Sequence, residues 1–284
     1  MCRLFGMTTG GPRVHATFWL LDAADSLRSQ SRRMPDGTGL GWFSLGEEPV
    51  RDRAPIAAYE DADFNSEART VVSHTFVSHV RYASTGVPDV HNSHPFVMDD
   101  RLFAHNGVVK GLDVLGTWLT DVDRAQIRGE TDSELVFAYI TAEIRRHGDT
   151  TSGLIAAVRR IGAELPVFAL NILLAESRRM WALRYPGTHR LWALRHELRE
   201  PGEGRRLDAG REPGRLRVAA HREPSASCVL ASERLDDDPD WRLLAPGELL
   251  VVDGPDTSSI HPFDEPAHPL SVDDLSAAES TSQT

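Results

Sequence analysis

The sequence predicts an α+β fold in which layers of antiparallel sheet are covered by helices. Short apolar or alternating runs typical of strands outnumber the segments with helical periodicity, and the two kinds do not alternate as βαβ units would. The chain has 284 residues, of which 40% are hydrophobic, and no internal repeat is visible. This length is enough for one large domain, or two small ones, with a sizeable core.

The strands are predicted from short apolar runs. CRLFGM, directly after Met1, has the composition of a short strand, and LGWFSL (40–45) leaves a turn predicted at PDGTG (35–39). HTFVSHVRYAS (74–84) alternates roughly between apolar and polar residues. Further strands are predicted at VFALNILLAE (167–176), RMWALRY (179–185), RLWALRHEL (190–198), RLRVAA (215–220), CVLASE (228–233) and GELLVVD (247–253).

Helical periodicity marks three segments, at 14–30, 131–146 and 152–165. Thr131 and Glu134 predict a capping box at the start of the second helix, in which each side chain bonds to the other residue's backbone N–H.

The composition changes near the end of the chain. From about Pro255 onward Ser, Asp, Pro and Thr dominate, which predicts a mobile tail. We therefore expect one domain over residues 2–254 and a flexible tail over 255–284.

Charge and hydropathy exclude several function classes. The formal net charge of −11 argues against nucleic acid or an anionic membrane as the main partner. The start of the chain does not resemble a signal peptide, and the most apolar run, at 166–175, is too short to span a bilayer. A cytoplasmic protein is expected, in which the two cysteines, Cys2 and Cys228, are free thiols.

Cys2 is the first candidate for chemistry. Removal of Met1 would leave a residue that carries a thiol and a free α-amine on one carbon. An α-amine has a pKa of roughly 7.7–8.0, so part of it is unprotonated at neutral pH and can accept the thiol proton. The alternative is that Cys2 is a small apolar residue in an edge strand.

Asn106 and Gly107 are candidates for an oxyanion hole. A strand is predicted at RLFAHNGVV (101–109) and is expected to break at this dipeptide, which is typical of a tight turn. The Asn carboxamide and the Gly backbone N–H can converge on one oxygen. A plain hairpin turn explains the same two residues.

Arg81 and Asp132 suit the two ends of a free amino acid. A guanidinium binds an α-carboxylate through two parallel hydrogen bonds, and a carboxylate accepts from an α-ammonium group. An ion pair at the surface is the alternative for Arg81, and stabilisation of a helix start is the alternative for Asp132.

Five short pieces, read in order, resemble the class II glutamine amidotransferases, a branch of the N-terminal-nucleophile hydrolases. The pieces are Cys2, VRYASTG (80–86), HNSHPF (91–96), FAHNGVV (103–109) and GETDSE (129–134). MCRLFG and PDGTGLGW look most like the stand-alone members, such as the ergothioneine-pathway amidohydrolase. Each motif alone is weak evidence for the family, whereas all five in this order, headed by a cysteine at position 2, are specific to it.

The resemblance implies a four-layer αββα sandwich and cleavage of the side-chain amide of glutamine or of a γ-glutamyl compound. It implies that Cys2 is the nucleophile, with Asn106 and Gly107 as oxyanion donors, and that no metal or cofactor takes part. It also implies that Arg81 and Asp132 bind the substrate. Residues that line the pocket or order its loop would be Tyr82, Ser84 and His94.

Several alternatives stay open on the sequence. A transferase would need a separate synthase subunit to accept the ammonia, because the chain has no room for a second large catalytic domain. A non-catalytic binding protein on the same fold would retain Met1 or carry an unreactive thiol. Cys2 with His91, His94 and His105 could be read as a zinc set, although no close ligand pair supports it.

Overall fold

The computed structural model describes residues 2–82, 89–196 and 227–283. Its strands are β1 Arg3–Thr8, β2 Gly37–Phe43, β3 Pro49–Ala54, β4 Thr75–Arg81, β5 Phe96–Met98, β6 Arg101–Val109, β7 Pro166–Ala175, β8 Arg179–Arg184, β9 Trp192–His196, β10 Ser227–Ala231, β11 Arg242–Leu243, β12 Glu248–Asp253, β13 Asp256–Ile260 and β14 His268–Pro269. Its α-helices are α1 Leu27–Gln30, α2 Ala62–Thr70, α3 Leu112–Thr117, α4 Asp121–Arg124, α5 Asp132–His147, α6 Thr150–Glu164 and α7 Ala277–Gln283.

The strands form two sheets. The first has the order β11-β9-β10-β1-β4-β2-β3, and the second has the order β13-β12-β8-β7-β6-β5. Neighbouring strands in both orders are antiparallel, and β14 adds a short parallel pairing to β7. The two sheets are therefore built from different segments of the chain.

Three apolar clusters define the layers. One contains side chains of both sheets, such as Leu4 and Leu102, and so lies between them. A second joins α5 and α6 to the outer face of the second sheet, and a third joins the segment around Trp19 to the outer face of the first sheet. The order is helix, sheet, sheet, helix, which confirms the predicted αββα architecture.

The period of two along each strand decides which residues meet between the sheets. On β6, Leu102 and Ala104 belong to the cluster between the sheets, whereas Phe103 belongs to the outer cluster under the helices. Asn106 therefore lies on the inner face, and His105 lies on the face towards α5. By the same alternation, the even-numbered residues of β1 and the odd-numbered residues of β4 point into the space between the sheets.

The predicted helix over 14–30 is wrong as a continuous element. A π-helical turn over Phe18–Asp22 is followed by the four residues of α1. Ser26 starts α1 afresh, because its hydroxyl accepts a hydrogen bond from Ser29 N–H. The backbone N–H of Asp25 donates to Leu235 O instead of continuing the first turn.

Two predicted turns are strand residues. Gly37 and Gly39, which were placed in the PDGTG turn, belong to β2 and pair with Arg81 and His79. The strand at 101–109 does not break: Asn106 and Gly107 continue β6 and pair with β7. Pairing with β3 and β4 at Gly39, and with β7 at Asn106 and Gly107, outweighs the local turn preference of these glycine-containing sequences.

The two long predicted helices are confirmed as α5 and α6. The predicted capping box is half correct. The Thr131 hydroxyl accepts from Glu134 N–H at 3.3 Å, but the Glu134 carboxylate accepts from Arg128 and Gly129 N–H at 3.1 and 2.6 Å. Glu134 therefore fixes the loop before α5 rather than the N-cap residue.

The segment after residue 254 differs from the mobile tail expected for it. β13 pairs with β12, β14 pairs with β7, and the last residues of α7 are buried. The domain bounds themselves stay a prediction. The predicted strand at 215–220 lies outside the described residues. None of the helices in the described ranges is both long and apolar enough to cross a bilayer.

Candidate active site

A small cavity, with about 30 Å³ of free space, opens at one end of the space between the two sheets. It brings together most of the residues singled out from the sequence. Its walls are Cys2, His79, Arg81, Tyr82, Asn92, His94, His105, Asn106, Gly107, Thr131, Asp132, Ser133 and Gln283. The residues come from both sheets, from the loop before β5 and from the start of α5, so the cavity exists only once the sandwich has assembled.

Cys2 directly precedes β1 and is 9% exposed. Its Sγ is 3.2 Å from the backbone N–H of Tyr82, which can donate to the sulfur. Burial raises the pKa of the Cys2 thiol, while the Tyr82 backbone and the positive charges of Arg81 and Arg3 oppose this rise. The site therefore holds a protonated thiol with cations and a donor in place to stabilise its thiolate.

Asn106 joins the second sheet to Cys2. Its Nδ2 donates to the carbonyl oxygen of Cys2 at 2.9 Å, and its Oδ1 is buried with no hydrogen-bond partner among the described residues. The carboxamide has two N–H groups, and one of them holds the Cys2 backbone. The donor predicted from the sequence is thus next to the cysteine, in a strand rather than in a turn.

Gly107 follows on β6 and allows the two central strands of the second sheet to approach closely. A Cβ at this position would lie 1.9 Å from the carbonyl oxygen of Ala169 on β7. Its φ of 157° is also uncommon for residues with a side chain. Glycine is required here by the packing of the strand that carries Asn106.

Arg81 ends β4 and is 5% exposed. Burial lowers the pKa of its guanidinium, while the charges of Cys2 and Asp36 raise it. A buried cation on the wall of a cavity favours an anionic group of a ligand, such as a carboxylate. This placement agrees with the role predicted for Arg81 and not with an exposed surface ion pair.

Asp132 is half-buried at the first position of α5. One of its carboxylate oxygens accepts from Val109 N–H at 3.1 Å, and the other accepts from Ser133 N–H at 2.8 Å. The carboxylate therefore stabilises the helix start and ties it to β6. Asp132 also lines the cavity, so the structural and the binding interpretation are compatible.

His105 contacts the helix layer beneath the cavity. Its Nδ1 is 2.9 Å from the Ser133 hydroxyl, and its Nε2 is 3.5 Å from the Ala169 carbonyl. Burial lowers the pKa of His105, while the charge of Asp132 raises it. The ring links β6, β7 and the start of α5 under the predicted substrate site.

His79 and His94 form a buried pair on the cavity wall. Their ring centroids are 4.3 Å apart, and none of their four ring nitrogens has a hydrogen-bond partner among the described residues. Burial lowers the pKa of His79 to about 3 and lowers that of His94 as well. Both rings are neutral at pH 7, and their nitrogens are left for a ligand or water.

The remaining predicted residues are placed as follows. Tyr82 contributes its backbone to the sulfur, while its ring packs against the outer cluster of the first sheet. Ser84 lies outside the described residues. His91 is exposed and its ring bonds to Asp89, so it does not join the zinc set considered above. Within the described ranges, no three ligand-type side chains are grouped as a metal site.

Sequence reasoning missed two kinds of wall residue. His79, which no motif singled out as a site residue, stands two residues before Arg81 on one strand, and period two predicts the same face for both. Gln283 comes from the segment expected to be mobile, and nothing in the sequence pointed to it. Cys228, the other cysteine, is buried in β10, and burial raises its pKa to about 12.

Comparison with known proteins identifies the family. Residues 1–272 match the profile described as class-II glutamine amidotransferases. A protein of Mycobacterium tuberculosis (strain H37Rv), named gamma-glutamyl-hercynylcysteine sulfoxide hydrolase, is 34% identical over 200 residues, which cover 66% of this chain and 78% of that protein. A protein of Escherichia coli K12, named a putative glutamine amidotransferase, is 28% identical over 240 residues, or 74% of this chain and 88% of that one.

A solved structure supports the fold. The glutamine aminotransferase class-II domain protein of Silicibacter pomeroyi has a TM-score of 0.61 and 22% identity, and the match covers 92% of this chain and 99% of that one. The resemblance inferred from the ordered motifs is thereby confirmed. The chain belongs to the class II glutamine amidotransferases.

Proposed function

We propose that this protein hydrolyses the side-chain amide of a γ-glutamyl compound, glutamine or a γ-glutamyl conjugate, through a thioester on Cys2. The observation that carries the proposal is that Cys2, Asn106, Arg81 and Asp132 line the same cavity. It supplies the groups that amide cleavage requires, namely a nucleophile, an oxyanion donor and a binding site for the amino-acid head.

In the proposed first half-reaction, removal of Met1 frees the α-amine of Cys2. This amine takes the thiol proton, and the sulfur attacks the γ-carbonyl carbon. Asn106 and the Gly107 N–H stabilise the oxyanion. The protonated amine then gives its proton to the departing nitrogen, the C–N bond breaks, and a thioester remains on Cys2.

In the second half-reaction, a water molecule attacks the thioester. The α-amine accepts a proton from this water and returns it to the sulfur as the S–C bond breaks. Glutamate leaves and the thiol is restored. Arg81 and Asp132 hold the α-carboxylate and the α-ammonium of the glutamyl group throughout, so that the γ-carbonyl stays beside the sulfur.

The substrate class is proposed from the relatives. The Mycobacterium tuberculosis relative is named gamma-glutamyl-hercynylcysteine sulfoxide hydrolase, which makes a γ-glutamyl conjugate a candidate substrate beside free glutamine. A separate synthase that accepts ammonia is the remaining alternative within the family, and a cytoplasmic location stays a prediction. Comparing kcat/KM for glutamine and for γ-glutamyl amides of increasing size distinguishes these possibilities.

The nucleophile is tested with two cysteine variants. Cys2→Ala is expected to lose amide hydrolysis, while Cys228→Ala, which changes a buried thiol outside the cavity, is expected to keep it. Intact mass shows whether Met1 has been removed from the active protein. Equal activity in Cys2→Ala and the parent, or full activity with Met1 retained, would contradict the mechanism.

A further inference from the structure

The C-terminal helix α7 brings a glutamine to the wall of the candidate active site. Gln283 is 6% exposed and lines the cavity together with Cys2. The helix before it is largely exposed at Ala277 and Ala278. A long polar side chain thus turns inward at the end of an exposed helix, which requires a specific partner.

That partner is His189. The Nε2 of His189 lies 2.6 Å from Gln283 Oε1, and the Gln283 Nε2 donates to the Ser282 hydroxyl at 3.0 Å. Burial lowers the pKa of His189 to about 4, so the ring is neutral at pH 7 and donates its single N–H to the amide oxygen. His189 and Ser282 are 3% and 0% exposed, and the amide is fixed in a buried setting.

The segment that leads to Gln283 is attached to the strands of the site. Leu270 and Leu275 pack against Val108 and Phe168 on β6 and β7. The Nζ of Lys110 donates to the backbone oxygen of Asp274 at 2.6 Å. Val108 is two residues beyond Asn106, so this segment rests on the strand that carries the predicted oxyanion donor.

The small size of the cavity makes the position of Gln283 important for what can bind there. Its free space of about 30 Å³ is far below the roughly 300–1,000 Å³ that small-molecule sites occupy, so the room for a ligand depends on the side chains of the wall. A glutamyl group together with ammonia as the leaving group needs little room beyond its own head. A larger amine joined to the γ-carbonyl needs space that the Gln283 side chain takes on one wall.

We propose that Gln283 is a specificity-determining residue, which limits the size of the amine that the substrate carries on its γ-carbonyl. This inference rests on the proposed function, since it concerns the same cavity. Shortening the side chain should raise kcat/KM for larger γ-glutamyl amides relative to that for free glutamine.

The test is a graded series, Gln283→Asn and Gln283→Ala, assayed with glutamine and with a γ-glutamyl anilide. We expect the ratio of kcat/KM for the anilide to that for glutamine to rise stepwise, by roughly tenfold in the Ala variant, since one or two methylenes in a pocket change discrimination by ~10-fold or more. Gln283→Glu, which keeps the length, should retain the parent ratio. Thr281→Ala, an exposed change on the same helix, is the matched control.

A second measurement separates this inference from the proposed function. The rate at which iodoacetamide and the bulkier N-ethylmaleimide label Cys2, followed by peptide mass, requires no turnover. Suppose that Gln283→Ala speeds maleimide labelling more than iodoacetamide labelling while no variant cleaves any amide. The proposed function is then wrong, but the conclusion that Gln283 limits the size of what reaches Cys2 is retained. If neither the substrate ratio nor the labelling rates change in the Asn and Ala variants, the inference is overturned.

Discussion

Replacing Asn106 by alanine separates two roles that the structure gives to one carboxamide. One N–H of its amide donates to the carbonyl oxygen of Cys2 at 2.9 Å and so holds the start of β1 against β6. The mechanism assigns the second N–H to the oxyanion of the substrate. Asn106→Ala removes both, but the two losses affect different measurements.

The magnitudes differ enough to be told apart. Loss of the bond to Cys2 is expected to cost about 1 kcal/mol of folding free energy, and removal of the unpartnered Oδ1 offsets part of that. For a chain of this size the melting temperature falls by only ~2–4 °C per kcal/mol. Loss of an oxyanion donor lowers kcat by ~10²–10³. We therefore expect a large fall in kcat, a small fall in melting temperature and little change in KM.

Asn171→Ala is the matched control, because Asn171 pairs with Asn106 across β6 and β7. Its side chain accepts from Tyr185 N–H at 3.1 Å and donates to Arg190 O at 3.2 Å, outside the cavity. Losing the acceptor leaves a buried N–H unpaired and costs ~1–3 kcal/mol, so this variant is the less stable one yet keeps most of its kcat. A kcat for Asn106→Ala within tenfold of that for Asn171→Ala would refute the oxyanion role.

Three further perturbations test the fold and the electrostatics. Gly107→Ala, whose Cβ would lie 1.9 Å from a facing backbone oxygen, is expected to lose about 3 kcal/mol of unfolding free energy by denaturant titration, whereas Gly116→Ala, with open space at its Cβ, should be neutral or stabilising. Burial raises the pKa of Glu248, but hydrogen bonds from Arg242 and its other donors outweigh this and lower it to about 2. Its charge therefore stabilises the fold above its unfolded pKa of about 4.3. Glu248→Gln should lower the free energy of unfolding by about 2 kcal/mol at pH 7, and this difference from the parent should disappear between pH 4 and pH 2. An equal difference at pH 7 and pH 2 would contradict the pairing. Because burial raises the pKa of the Cys2 thiol, its alkylation rate in the Met1-bearing chain should still be rising at pH 9, and a plateau below pH 8 would contradict this.

The sequence was most informative where a local pattern and the fold impose the same requirement. The two long helices follow from their apolar periodicity. The cavity residues Cys2, Arg81 and Asn106 were found because each sits in a short motif and the motifs occur in a specific order. Their common location follows from period two in strands that pair side by side within each sheet and face each other between sheets.

Local sequence preference gave wrong predictions of secondary structure where tertiary contacts impose a different conformation. Asn106–Gly107 is a turn sequence, yet pairing with β7 holds it extended, and Gly107 is needed because β7 lies too close for a side chain. The apolar run at 14–30 fits one helix, but Ser26 provides a better start for a second one. In both places the deciding partner, β7 or the loop at Leu235, is distant in sequence.

The terminal segment illustrates a more general limit of composition. Few apolar residues predict that a segment cannot bury enough surface to fold by itself, and this says nothing about what the rest of the protein offers it. The rest of this protein provides specific partners for the segment. Lys110 binds the Asp274 backbone, two leucines pack against an apolar patch on β6 and β7, and His189 supplies a buried donor for Gln283. Each of these partners precedes the segment by many residues, and its position is set by other parts of the fold. A polar segment can therefore complete the wall of this cavity without any sequence pattern of its own, and only the assembled sandwich reveals it.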